Sequence, residues 1–544
     1  MCGMQPVLTA AQMAELDRYT IETLGLDSKL LMSNAAREVL RVMRERLPRA
    51  MRPVIFAGTG NNGGDGVALA YYAQQEGLAP TLVLCHPEIG SPPQLSADST
   101  YFYNIAERAY VPVRLLGNPA VAPEVITNAQ GDLVVDALFG TGLDRPLGSY
   151  YLALIERLHH TRHPVVAIDC PSGLNCTSGE VMEGAVRATL TVTMGFAKRG
   201  FFHPAAADHV GELQVVQLGF GSLTDAAIAP DAHSWPDALW EPLRQPRASY
   251  THKGTYGRVL VVAGHARYPG APRLAARAAL RSGAGLVRLV VPAAIHAACA
   301  SDPSVMVAAH RTDSQGGFGA PPEEELLGYL DWADALVIGP GLGEGGGAAE
   351  ITRELLARRD LPIVVDADGL RALGDGRGGP MPEREWPIVL TPHVGELARL
   401  AGIIPSQALD RWFDLAREMA ARLNVLLLAK SNQCVLATPE GGLVFPRRGH
   451  PALASGGTGD VLSGILGALL ARYHAQHQGQ SPGLASTGAV HRGTCVEIVA
   501  SAVNIHASAA EVGAQHLGHN GLTATDLVDL IPAGLHRLVE GAAG

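Results

Sequence analysis

Short, nearly unbroken apolar runs alternate with helical patterns along the chain, and this alternation fixes most of what the chain can fold into. Runs at 54–58, 81–85, 133–137, 165–169 and 188–193 make a first set; runs at 258–263, 286–290, 335–338, 363–366, 388–390 and 425–428 make a second. A strand that is apolar on both faces must be covered on both, and strands separated by helices run parallel. Both sets therefore predict α/β folds with helices on each side of a parallel sheet. At 544 residues the chain is too long for one ordinary core, so two domains are expected. They fall at 1–222 and 247–544, joined by a linker or connecting hairpin at 223–246, where four prolines and no regular period interrupt the pattern. A polar, glycine-rich stretch at 475–492 reads as a surface insertion between two helices.

Charge and composition narrow the partners. The net charge is −10 and no run of Lys or Arg exceeds a pair, a poor match to nucleic acid. The N-terminus has neither the basic start nor the apolar core of a secretory leader, and no apolar stretch of membrane-spanning length is free of Gly, Pro or charge. Seven cysteines are scattered without a CxxC pair, which suits free thiols in a reducing compartment. A cytoplasmic protein with no membrane partner is expected.

The sharpest local feature of the first half is GTGNNGGDG at 58–66, a glycine loop between an apolar strand and a helical pattern. Such a loop lets backbone approach a ligand phosphate, while the helix start offers unpaired N–H groups. It is neither a Walker A loop nor a strict GxGxxG, and the plainer reading is a tight turn. Two further strands end in polar residues, VVDALFGTGLDRP placing Asp136 and VVAIDCPSGLN placing Asp169 and Ser172. In open α/β sheets ligands gather at the carboxyl ends of strands, where Asn62, Asp136, Asp169 and Ser172 can converge. Converging oxygens suit a hard cation or acid–base work; each aspartate taken singly is also a plausible helix cap.

NNGGDG, DALFGTGL, AIDCPSGLN and MGFAKRGFFHP followed by GEL, in that order, resemble the N-terminal epimerase domain of the NAD(P)H-hydrate repair enzymes over residues 10–220. The resemblance implies a Rossmann-like three-layer domain that interconverts the R and S forms of hydrated NADH or NADPH. It implies substrate binding by Asn61, Asn62, Gly63, Gly64 and Asp65, and by Gly140, Thr141, Gly142, Leu143, Asp144, Arg145 and Pro146. It further implies a potassium ion at Asn62, Asp136 and Ser172, with Asp169 as the acid/base at the nicotinamide carbon. One departure is LMSNAAREV, where Ala36 replaces the family's glycine and is expected to alter packing at the mouth of the site.

In the second half, SGGTGD at 455–460 precedes the apolar helical run VLSGILGALLARY. Backbone N–H groups at such a helix start can face an anion, and Asp460 in the first turn can take a proton from a substrate hydroxyl. The same arrangement suits phosphoryl transfer to an alcohol. IGPGLG, VVDADGL and LTPHVGELARL supply strand-end turns and carboxylates around it, and Lys430 follows the buried run LLLA, which favours a phosphate contact. His393 also reads as a turn residue, and Asp366 or Asp368 as a helix cap.

TPHVGE and GGTGDVLSG resemble the ribokinase-like dehydratase domain of the same family over 247–535. That resemblance implies Ala271 at the substrate entrance, Gly341 and Gly343 at the ring pocket and His393 on the hydrated cofactor. It implies ADP or ATP as cosubstrate, with Mg2+, bound by Lys430, Ser431, Asn432, Gln433 and Cys434 and by Gly456, Gly457, Thr458 and Gly459. Asp460 then deprotonates the C6 hydroxyl. A homo-oligomer is implied as well. Here SNQC follows Lys430 where the family often has GAGT, and HPALAS replaces NPGMAT before the anion site; both changes flank the nucleotide and leave the choice of ADP or ATP open. Two other readings stand beside this one: a small-molecule kinase, which would keep the phosphate on its product, and a first domain that only binds protein.

Overall fold

The computed structural model describes residues 3–87, 94–236, 238–374, 379–477 and 488–541. It divides into two compact units, Gln5–His233, and Ser234–Gly544 together with Met1–Met4. The division falls inside the stretch expected to be a linker.

The first unit carries β1 (Gln5–Leu8), β2 (Pro53–Ala57), β3 (Thr81–Cys85), β4 (Val113–Leu116), β5 (Leu133–Ala137), β6 (Val165–Ile168), β7 (Leu190–Met194), β8 (Ala197–Lys198) and β9 (Glu212–Val216). Its main sheet runs β4-β3-β2-β5-β6-β7-β9, every neighbour parallel. β2, β3, β5, β6 and β7 are buried at every position, because helices cover both faces. Strand order reverses between β2 and β5, and the crevice that this leaves opens at their carboxyl ends. The glycine motif is shorter as a loop than its sequence suggests. The helix Asn61–Gln75 already begins within it, with Gly60 as a cap that offers no side chain. Close packing explains the glycines: a Cβ on Gly63 would lie 1.9 Å from the Gly58 carbonyl oxygen, and one on Gly64 2.5 Å from Met32.

The second unit continues with β10 (Ala232–Trp235), β11 (Arg258–Val262), β12 (Leu286–Pro292), β13 (Met306–His310), β14 (Ala335–Ile338), β15 (Ile363–Val365), β16 (Ile388–Leu390), β17 (Leu426–Ala429), β18 (Val435–Ala437) and β19 (Leu443–Pro446). Strands β13-β12-β11-β14-β15-β16-β17 are parallel, and β17-β18-β19 turn back antiparallel. The expected class, α/β in both halves, is the one observed.

Two features differ from expectation, the segment at 234–243 and the pairing of two cysteines. Residues 234–243 are no free tether: Trp235, Trp240 and Leu243 are buried in the second unit's core. Ser501 and Asn504 bond their backbone, at 2.7 Å to Trp240 N and 3.1 Å to Trp235 O. Three large apolar side chains outweigh the prolines there. The stretch 491–517 is long and apolar enough to cross a membrane, yet 83% of its most apolar window is buried inside the protein, so it is a core helix. Cys170 and Cys176 form a disulfide, whereas Cys85, Cys299, Cys434 and Cys495 are free and buried. The loop that brings Cys170 to Cys176 leaves no spacing signature in sequence. Of the expected insertion at 475–492, residues 478–487 lie outside the described residues.

The helix Thr458–His477 reaches its place through glycines. A Cβ on Gly464 would lie 2.2 Å from the Ala275 carbonyl oxygen, in the neighbouring helix Gly270–Arg281. Gly464→Val is expected to destabilise this unit by about 1–3 kcal/mol through overpacking, read as a lower urea midpoint for its unfolding.

Two candidate active sites

A cleft of about 570 Å³ opens at the carboxyl ends of the first unit's strands. Asn61, Asn62, Asp65, Gly140, Thr141, Gly142, Leu143, Asp144, Arg145 and Asp169 line it. Gly63 and Gly64 are buried behind it, and Pro146 is exposed outside it. Asp136 and Ser172 sit beneath the rim: Asp136 accepts from the Ser172 hydroxyl at 2.7 Å and the Ser172 amide at 2.8 Å. The Ser172 oxygen in turn accepts from Phe139 N at 2.9 Å. Burial pushes Asp136 up to about 6, against those hydrogen bonds. Both amide atoms of Asn62 are buried without a partner among the described residues, and a Cβ on Gly140 would stand 3.3 Å from its Oδ1.

Asp169 follows β6 with φ at +63°, a left-handed conformation that a non-glycine residue holds only when its surroundings enforce it. Those surroundings centre on Lys198, 0% exposed, whose ammonium lies 2.6 Å from Asp169 Oδ1, 2.6 Å from Thr193 Oγ1 and 3.0 Å from the Met194 carbonyl. Burial pushes the Asp169 carboxyl up, but Lys198 and the donors at Met194 and Thr193 outweigh it and hold it below the usual carboxylate range. Asp65 has no such cation. Burial, then Asp169 and Asp17, push it well above that range. The cleft thus sets one carboxyl held below the ordinary range beside one pushed above it, the kind of separation that acid–base chemistry uses.

The second site gathers around the start of the helix Thr458–His477. Thr458 turns inward, its hydroxyl donating to Leu453 O at 2.9 Å, and His506 bonds the Thr458 carbonyl at 2.9 Å. Burial lowers His506 to about 4, so it is neutral and donates that bond. Lys430, after β17, pairs with Asp366 at 2.5 Å. A Cβ on Gly459 would lie 3.4 Å from the Lys430 ammonium. Asp460 is raised to about 7 by burial and by Asp366, against the pull of Lys430. His393 adjoins Lys430 along a parallel bridge. It caps the helix Val394–Ala401, its Nδ1 accepting from Gly395 N at 3.0 Å, and leaves the rest of the ring exposed.

Gly341 and Gly343 have φ of +60° and +79°; a Cβ on Gly341 would meet Ala271 and Tyr268 at 3.0 Å, and one on Gly343 would strike His265 at 2.5 Å. A Cβ on Gly457 would meet Leu274 at 2.7 Å and Asp460 Oδ2 at 3.8 Å, which joins the Ala271 helix to the start of the helix Thr458–His477. Of the loop after Lys430, Ser431 and Asn432 bond each other at 2.8 Å, while Gln433 and Cys434 are buried, Gln433 donating to Pro446 O at 2.9 Å. Gly456 is exposed.

A family model described as NAD(P)H-hydrate dehydratase matches residues 259–533, and one described as YjeF-related protein N-terminus matches 28–200. The bifunctional NAD(P)H-hydrate repair enzyme Nnr of Salinibacter ruber is 36% identical over 98% of this chain and 97% of its own. The chain belongs to the bifunctional NAD(P)H-hydrate repair enzymes. The Coxiella burnetii enzyme of the same name is 34% identical over 95% of this chain and 96% of its own. An ADP/ATP-dependent NAD(P)H-hydrate dehydratase from Bacillus subtilis, crystallised with ATP and Mg2+, aligns at 28% identity over 56% of this chain and 98% of its own, with a TM-score of 0.44.

In this repair enzyme, sequence reasoning missed Lys198, Asp17, Thr391, Ser463 and His506. Lys198 lies inside the MGFAKRGFFHP stretch and Ser463 inside GGTGDVLSG, but nothing local shows which carboxylate each meets. Ala36 is buried in the core, and Ala35 lines the cleft instead. Lys198→Met is expected to remove the main opposition to burial and so raise Asp169, with only the Thr193 and Met194 donors left to hold its charge. Epimerisation, followed as the R-to-S ratio by chromatography, then slows by about a hundredfold or more while dehydration of the S form is unchanged.

Proposed function

We propose that residues 1–222 form the epimerase, 247–544 the dehydratase, and 223–246 their connection. In the first cleft the hydrated nicotinamide ring, a carbinolamine at C6, lies against Asp169. Inversion needs the C6 hydroxyl proton taken up as the C6–N bond opens to an aldehyde and a ring nitrogen that receives a proton, and returned as the ring recloses on the other face. An ionised carboxylate at a fixed point shuttles that proton without a redox partner. The single observation that carries the reading is the buried Lys198–Asp169 pair at 2.6 Å, because it keeps a carboxylate charged in a site otherwise too dry for one.

A potassium ion fits the same cleft. The orphaned buried amide of Asn62 calls for a partner, and Asp136 and Ser172 supply the hard oxygens such an ion takes. Its positive charge would steady the oxygens of the reacting ring. Asn61, Asp65 and the 140–146 loop hold the rest of the substrate.

In the second unit the dehydratase works at the start of the helix Thr458–His477. Ala271, Gly341, Gly343 and His393 hold the S form; Lys430 to Cys434 and Gly456 to Gly459 hold ADP or ATP, with Mg2+ on its phosphates. Asp460 takes the C6 hydroxyl proton as that oxygen attacks the terminal phosphorus, and the bond from phosphorus to the leaving nucleotide oxygen breaks. Inorganic phosphate then departs from C6, a proton leaves C5 and the ring double bond returns. A kinase would retain the phosphate on its product; release of free phosphate with recovery of NADH absorbance separates the two. The same reading makes the enzyme a cytoplasmic homo-oligomer without nucleic-acid or membrane partners, supported by the net charge of −10 and the buried apolar helix, with Cys170–Cys176 the exception to reduced thiols.

Two measurements test this. Asp169→Asn abolishes R-to-S conversion and spares dehydration, whereas Asp460→Asn does the reverse; survival of either activity in its own variant removes that assignment. Because Asp460 must be ionised to act and is raised to about 7, dehydratase kcat/KM rises through about pH 7 as the pH increases, and a flat profile from pH 5 to about 9 contradicts its role as base.

A further inference from the structure

The chemistry above uses Asp460 and Lys430 and leaves Asp366 without a task. Asp366 follows β15 and is 1% exposed. One of its oxygens accepts from Thr391 Oγ1 at 2.7 Å and from the Lys430 ammonium at 2.5 Å; the other accepts from Ser463 Oγ at 2.7 Å. Three elements therefore meet on it: the end of β16, the residue after β17, and the helix Thr458–His477. Its backbone is pinned as well. A Cβ on Gly339 would lie 1.8 Å from its carbonyl oxygen, and Ala367 next to it has φ of +48°.

The carboxylate reaches the anion site directly. A Cβ on Gly459 would lie 3.8 Å from Asp366 Oδ2 and 3.4 Å from the Lys430 ammonium. The charges facing Lys430 are Asp366, Glu396 and Asp460; those facing Asp460 are Asp366, Lys430 and Asp368. A buried ammonium between two carboxylates will pair with the one held more firmly. Two hydroxyls fix Asp366, whereas Asp460 is half-buried and carries no such clamp among the described residues. Were Lys430 to pair with Asp460, the base would be locked in its ionised form and reluctant to accept a proton.

We propose that Asp366 is a positioning residue of the dehydratase, holding the Lys430 ammonium against Gly459, where the nucleotide phosphates bind, and keeping it out of a salt bridge with Asp460. The proposal rests on the roles given above to Lys430 and Asp460. A second independent reading of the geometry, a buried pair kept only for folding, predicts different behaviour when Lys430 is removed.

The experiment is a double-mutant cycle on the full chain with S-hydrated NADH and saturating nucleotide, using Asp366→Asn, Lys430→Met and both together. Asp366→Asn is expected to lower kcat by about tenfold or more as Lys430 swings onto Asp460, and to move the acid limb of kcat/KM to lower pH, both through that swing and because the Asp366 charge no longer raises Asp460. In the Lys430→Met background the same change is expected to cost little further kcat, since Asp366 positions that lysine, and to leave only the limb shift that its own charge causes. Wild-type kcat and an unmoved limb in Asp366→Asn overturn the proposal, and so does an equal loss with and without Lys430. Should Asp366→Asn not fold, Ser463→Ala, which removes one clamp, must still shift the limb downward; an unshifted limb overturns it too. An active Asp460→Asn enzyme sinks the underlying reading, whereas a dead one beside an active Asp366→Asn sinks the positioning role alone.

Discussion

A carboxylate buried at the rim of a sheet is the constraint on which both sites depend. Placed there without a counter-charge it takes up a proton and is lost to chemistry that needs an anion. Each unit meets the problem with a lysine carried on a different element. Lys198 reaches Asp169 from β8, and Lys430 reaches Asp366 from the end of β17. Lys198 is fully buried and Lys430 mostly so, and each ammonium sits against the carboxylate that it balances.

The two units then use that pairing differently. In the first, the paired carboxylate is the proposed base, fully charged over the ordinary pH range. In the second, the lysine is bound to a neighbour of the proposed base, and Asp460 stays close to neutrality. The difference suits the two reactions. Inverting a carbinolamine asks a group to take and return a proton at one centre. Transferring a phosphoryl group asks for a base that accepts a proton at the moment an oxygen attacks, next to a cation that faces the phosphates.

Much of this architecture is legible in the chain. The central strands announce themselves as unbroken apolar runs, and NNGGDG and GGTGD mark the two helix starts. Edge strands do not: β4 and β9 are partly exposed, and Arg114, Glu212 and Gln214 interrupt their apolar runs. The antiparallel pair β18–β19 is too short to show a period. In the sites, Asp136 and Asp169 stand out as polar residues ending apolar segments and Asp460 as a carboxylate in a helix's first turn able to take a hydroxyl proton, but the reactions they serve came from family resemblance. Their partners were hidden for a physical reason. Lys198 and Asp169 are 29 residues apart and Lys430 and Asp366 are 64 apart, and only the packing of intervening strands brings them together.

The two tryptophans that follow β9 bear on how the activities can be uncoupled. Trp235 and Trp240 precede the first strand of the parallel sheet to which they lend their bulk, fastened there by Ser501 and Asn504 on a late helix. Cleavage or gene fission at the last proline of the segment would hand those indoles to the wrong half and open a void beside Tyr473 and the helix that carries Ser501 and Asn504. A free-standing dehydratase carved from this chain must therefore begin upstream of its own catalytic sequence motifs, taking with it a stretch that looks in sequence like spare connecting chain.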